Sequence, residues 1–149
     1  MIISGYQGIG KSTVAGKNNC IDLESGSFVV DGVRSDDWYK AYCQVANHLS
    51  SQGYVVLVSS HKVVIRELEK SKEKVCVIFP GRALKELWVS RLKERYDKTG
   101  LEKDFKAFAN AEKKYDESII ELMNCNLQRY EITDMNYDLE KIVNNLSKV

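Results

Sequence analysis

Gly5, Gly8 and Gly10 crowd into the first ten residues of a 149-residue chain that has only nine glycines in all. They belong to Gly5-Tyr6-Gln7-Gly8-Ile9-Gly10-Lys11-Ser12, which fits G-x-x-x-x-G-K-[ST] at every fixed position. Glycines let the backbone curl so that several N–H groups point at one anion, and a following helix start adds partial positive charge. In such a loop the lysine directly after the second fixed glycine, here Lys11, reaches the β- and γ-phosphates, and the next hydroxyl ligates Mg²⁺. The flanks suit the loop. Met1–Ser4 is short, apolar and β-branched, and Lys11–Lys17 can open a helix.

The rest of the chain alternates apolar runs with helical stripes. Cys20–Leu23 reads as a second short strand, and Phe28–Gly32 as a brief extended piece ending in an Asp-Gly turn. Trp38, Tyr42, Val45, Ala46 and Leu49 recur at three- and four-residue steps, which predicts a helix over Trp38–Gln52, with Gly53 able to end it. Tyr54–Val58 and Val75–Phe79 are uninterrupted apolar runs, as expected of strands covered on both faces in a parallel sheet. Val64, Ile65 and Leu68 supply the crossover helix between them. Stripes at Leu84, Leu87, Trp88 and Leu92, and at Phe105, Phe108, Tyr115, Ile119 and Leu122, predict two more helices. A strand at Leu127–Ile132 and a helix through Leu139, Ile142, Val143 and Leu146 finish the pattern. The expected fold is a single α/β domain with a parallel sheet.

Composition narrows the classes of function. The formal charge is +1, so no global field favours nucleic acid or a membrane surface. No apolar run approaches a membrane span, and Met1-Ile2-Ile3-Ser4 lacks the basic and long apolar segments of a signal peptide. Cys20, Cys43, Cys76 and Cys125 are scattered without a C-x-x-C or a nearby His pair, which argues against zinc and redox motifs. A cytoplasmic setting is the expectation. No N-K-x-D base-reading motif is present, and Asp97-Lys98-Thr99-Gly100 follows a charged helical stretch rather than an apolar strand. The two best strands end in Ser59-Ser60-His61 and Pro80-Gly81, without the acidic pair of an ATPase motor.

The loop at Gly5–Thr13, Ile21-Asp22-Leu23-Glu24-Ser25, and Trp88-Val89-Ser90-Arg91-Leu92-Lys93-Glu94-Arg95 resemble the small P-loop kinases of the adenylate-kinase and nucleoside-monophosphate-kinase type. The similarity extends to the compact nucleotide kinases of phages and Gram-positive bacteria. It implies a P-loop NTPase three-layer sandwich, with a five-stranded parallel sheet and helices on both faces. It also implies an acceptor-binding insertion at residues 24–53, a short arginine-bearing lid at 91–104, and a base-contacting loop within Thr133–Tyr137. Gly5, Tyr6, Gln7, Gly8, Ile9, Gly10, Lys11, Ser12 and Thr13 would hold ATP, and Ser12 and Asp22 the Mg²⁺.

Other residues carry open alternatives. Asp22 and Glu24 share one side of a strand beside the loop. There a carboxylate could hold metal through water or orient the acceptor, or Asp22, Glu24 and Ser25 could simply cap a helix or turn. Ser59 and His61 lie at a strand's carboxyl end, where ligands bind in open α/β sheets; Ser60 could equally cap the helix that follows. Arg91 and Arg95 share a helical face. By the resemblance they neutralise the transferred phosphoryl group; otherwise they pair with Glu94 and Asp97. Arg34 is the one arginine before Arg66, a sparse supply for a doubly charged acceptor. Core packing is the expectation for Trp38 and Tyr42.

These readings converge on an ATP- and Mg²⁺-dependent kinase whose partner is a small-molecule acceptor, a (deoxy)nucleoside monophosphate first of all. The rivals are a kinase of a metabolite or nucleoside, a polynucleotide-end kinase disfavoured by the near-neutral charge, and a regulatory module that binds ATP without turnover.

Overall fold

A computed structural model describes residues 1–148. Five strands form one all-parallel sheet: β1 (Ile2–Gly5), β2 (Cys20–Asp22), β3 (Val55–Ser59), β4 (Val75–Pro80) and β5 (Gln128–Ile132), in the order β2-β3-β1-β4-β5. The helices are α1 (Lys11–Val14), α2 (Trp38–Ser51), α3 (Lys62–Leu68), α4 (Lys85–Thr99), α5 (Glu102–Met123) and α6 (Leu139–Ser147). Short 3₁₀ turns occupy Ser25–Phe28 and Arg82–Leu84.

The uninterrupted apolar runs are central strands. β1 lies between β3 and β4, with Ile2 opposite Val56 on one side and Val75 on the other. Ile2, Val56 and Val75 pack beneath Tyr42, Cys43 and Ala46 of α2 and Val64 and Leu68 of α3. Ile3 and Leu57, one step along their strands, point the opposite way. They enter a larger cluster with Val14 of α1, Trp88 and Leu92 of α4, and Leu139, Ile142 and Val143 of α6. Helices therefore cover both faces, and an all-parallel sheet requires this. β5 closes one edge, exposed from Gln128 to Glu131.

Local structure refines the expected pattern. α1 ends at Val14, not Lys17, because Ala15 turns extended and Gly16 takes φ +81°. At Phe28–Gly32 the brief extended piece and its Asp-Gly turn are present, with Val29 extended and Val30 and Val33 pairing across Asp31 (φ +52°) and Gly32 (φ +76°), but Phe28 itself ends a 3₁₀ turn. Residues 91–104 comprise the end of α4, which runs through to Thr99, a left-handed cap at Gly100, and the start of α5 at Glu102. Leu87 and Phe105 continue the helical periods but are 58% and 47% exposed. No helix among the described residues is long and apolar enough to cross a membrane, and all four cysteines are buried free thiols.

Candidate functional site

The connection after β1 runs outward to β2, and that after β4 runs the opposite way to β5. Neighbouring strands whose connections diverge open a crevice at their carboxyl ends. The loop at residues 5–12 lies there. Gly8 and Gly10 take φ +88° and +102°, a region that favours glycine. A Cβ on Gly5 would come within 2.2 Å of Ile9 Cδ1, in a side chain 1% exposed.

Three donors hold the loop's carbonyls from outside. Trp88 Nε1 donates to Gln7 O at 2.9 Å, Tyr137 Oη to Ile9 O at 2.7 Å, and Thr13 Oγ1 to Gly10 O at 2.6 Å. Among the described residues, no carbonyl accepts from the amides of Gly8, Gly10, Lys11 or Ser12. Successive N–H groups presented this way form an anion-binding concavity. α1 is a single turn, so the amides and Lys11 supply the attraction rather than a helix dipole.

Lys11 folds back over the loop, Nζ donating to Gly5 O at 2.8 Å. Burial pushes its ammonium down to about 8, opposed by the carboxylates of Asp22 and Glu24 and assisted by Arg95. Asp22, at the end of β2, is raised, chiefly by burial and further by Glu24, with Lys11 and Lys103 opposing. Lys103, on the first turn of α5 and within the segment 91–104 expected as a lid, belongs to this charged group, although the sequence pattern does not single it out as a site residue. Ser12 is exposed at the loop's end. No group of three or more metal-ligating side chains occurs among the described residues. A protein-only metal cage is thus absent from them; Ser12 and Asp22 offer one hydroxyl and one carboxylate, hard oxygen donors of the kind taken by a cation that keeps several waters.

Arg91 and Arg95 do not act as a pair. Arg91 lies over the rings of Trp88 and Tyr137, 5.0 and 5.5 Å from their centroids, and those rings stack on each other at 6.0 Å. It lines a cavity of about 440 Å³ with Ile9, Gly10, Thr13, Met135 and Tyr137. Arg95 Nε instead pairs with Asp104 at 3.2 Å, a carboxylate 5% exposed that also accepts from Thr99 Oγ1. The expected alternative partners, Glu94 and Asp97, are not the ones used.

Across the crevice, the acceptor-side candidates gather around Trp38. Arg34 sits on its ring at 4.2 Å and donates from Nη2 to Ser25 O at 3.5 Å; His61 meets its edge at 5.6 Å. Burial, then Arg34 and Lys11, lower His61, so its imidazole is neutral at pH 7. Trp38 is half-buried, less enclosed than a core position, while Tyr42 is fully buried. His61, not Ser60, takes the N-cap position of α3, and no side chain makes the capping bond. Glu24 precedes the 3₁₀ turn, also without a side-chain cap, so capping does not explain these polar residues. Ser59 sends its amide to Tyr42 Oη at 3.0 Å; its buried Oγ lies near the same oxygen without a well-formed hydrogen bond. Trp88 and Tyr137 escaped the sequence reading as loop supports. The available signal was that a buried indole or phenol needs a hydrogen-bond partner.

No protein-family model and no curated protein matches the chain.

Proposed function

We propose that this protein is a P-loop kinase, transferring a phosphoryl group from ATP to a nucleotide in a Mg²⁺-dependent reaction. The observation that carries the reading is the set of loop amides without protein acceptors, at Gly8 and at the successive residues Gly10, Lys11 and Ser12, with the ammonium of Lys11 folded back onto Gly5 O. Phosphoryl transfer is mainly positioning and charge neutralisation, and this loop is held rigidly for both. The cavity beside it, with Arg91 and Tyr137 as flat walls, suits the donor base by cation–π contact and stacking. The magnesium ion, when bound, neutralises charge on the phosphates; Ser12 and Asp22 would hold it. Lys11 binds the phosphates, while Arg95 and Lys103 add positive charge at the crevice.

The acceptor side has one arginine, Arg34, and a neutral imidazole. That sparse supply favours a lightly charged acceptor, and among nucleotides the monophosphate, ribo or deoxy, carries the least charge; an acceptor without phosphate fits it as well. Incubating labelled ATP and Mg²⁺ with monophosphates, nucleosides, sugars and 5′-hydroxyl oligonucleotides tests this. Transfer to a monophosphate, lost at least about 10³-fold in Lys11→Ala, is the expected outcome; full transfer by that variant would overturn the reading. A regulatory module that binds ATP without turnover is the second reading, favoured by strand ends at Ser59 and Pro80 that carry no carboxylate. Tight ATP binding with no transfer to any acceptor would select it.

A further inference from the structure

Tyr42 is 0% exposed on α2, yet its hydroxyl is fully used. It donates to Leu23 O at 2.6 Å and accepts from Ser59 N at 3.0 Å. Leu23 follows Asp22 directly; its amide donates to Leu57 O at 2.9 Å, and the Tyr42 bond holds the next peptide, Leu23–Glu24, so that the turn after Asp22 is fixed at both of its peptides. Ser59 is the last residue of β3, the strand that pairs with β2. One phenol thus ties together the two strand ends that bear candidate site residues. Its ring is held edge-on by Phe28 at 5.3 Å and tilted against Trp38 at 5.5 Å. The phenol is pushed up to about 12, chiefly by burial, so the donated proton stays on Oη at physiological pH.

We propose that Tyr42 is a positioning residue, holding the Asp22 carboxylate where it can serve a metal ion bound with nucleotide at the loop. The inference rests on the nucleotide-binding reading above. Packing alone would be satisfied by phenylalanine. The hydroxyl is needed because Leu23 O and the Ser59 amide must both be fixed at the point where β2 leaves the sheet. Among the described residues no hydrogen bond or ion pair holds the Asp22 side chain, on which Lys11 and Lys103 act only through charge, and its placement follows from its backbone.

The test is a double-mutant cycle on the full chain, with Mn²⁺ as the metal probe. Calorimetry reads ATP affinity without metal, and water-proton relaxation reads Mn²⁺ affinity in the presence of ATP. Tyr42→Phe is expected to leave metal-free ATP affinity within about twofold and to weaken Mn²⁺ about tenfold, as loss of an outer support does. In an Asp22→Asn background, Tyr42→Phe should change Mn²⁺ affinity by less than about twofold. A loss shared equally by ATP and Mn²⁺, or a full tenfold effect persisting in Asp22→Asn, overturns the proposal. If Tyr42→Phe does not fold, hydrogen exchange of the wild-type Ser59 amide decides. Protection gained when Mn²⁺ joins ATP, and missing in Asp22→Asn, supports the role; equal protection in both overturns it. ATP binding without phosphoryl transfer would remove the kinase reading and leave this test standing. Absence of ATP binding would remove both.

Discussion

The two sides of the crevice are built to different standards. On the loop side, Trp88, Tyr137 and Thr13 fix three successive parts of the chain through its carbonyls. On the other side, residues 29–37 make one tight turn and expose Val29, Val30 and Val33, the last two 71% and 68%. The loop is organised before any ligand arrives, so little ordering entropy remains to be lost on binding. The opposite wall holds its cation on an aromatic face and leaves apolar side chains in water. Recognition of a small anion needs the first arrangement, and admission of a larger partner needs the second.

The sharpest way to break this contrast is to disturb the rigid side. Gly8→Ala puts a Cβ 2.8 Å from Leu92 Cδ2 and 3.1 Å from Trp88 Nε1, at φ +88°. Both neighbours are almost fully buried, at 2% and 0% exposed, so neither can withdraw freely. Strain and overpacking together should cost about 2–4 kcal/mol. Urea unfolding would read that loss, and a variant as stable as the parent would mean that the loop is not tightly held.

Lys11 tests the same wall through pH. Its folded-state value of about 8 lies below the ordinary 10.5. Between those values the unfolded chain binds more protons, so stability rises with pH across that window; below about 8 the penalty is fully present. Lys11→Met should therefore raise stability at pH 7 by about 1–2 kcal/mol, allowing for partial exposure. The advantage should shrink as pH climbs from 8 towards 10.5. Thermal unfolding at pH 7 and 9.5 measures it, and a variant no more stable at pH 7 would contradict burial as the cause.

The smallest effect belongs to the open side. Val30→Ser combined with Val33→Ser should change stability by less than about 0.5 kcal/mol, because both side chains are already solvated. A larger loss by chemical denaturation would show that the turn is packed and that the two walls are more alike than described.

Legibility in the sequence follows the same division. β1, β3 and β4 announced themselves because burial on both faces leaves a continuous apolar run. The loop was legible because its geometry demands glycine at Gly8 and Gly10. Leu87 and Phe105 misled because a helical period marks one face without saying how much of its margin a partner covers. α4 buries Trp88 and Leu92, while Phe105, half exposed, meets the ring of Tyr96 at 5.2 Å between centroids. Arg91 and Arg95 looked equivalent at i, i+4; what separates them is Tyr137 and Asp104, brought in from other elements. Such long-range partners leave no local trace. The cavity wall at Met135 and Tyr137 is likewise assembled from the far end of the chain.

Placing β1 in the middle of the sheet also has a cost in time. Ile2 finds its two neighbours at Val56 and Val75, so β1 leaves the ribosome well before either of the strands that enclose it. At roughly 5–20 residues per second, an apolar strand and the glycine loop behind it wait several seconds for their partners. Until β3 and β4 emerge, the nascent chain carries an unpaired sticky edge that a chaperone or another chain can engage.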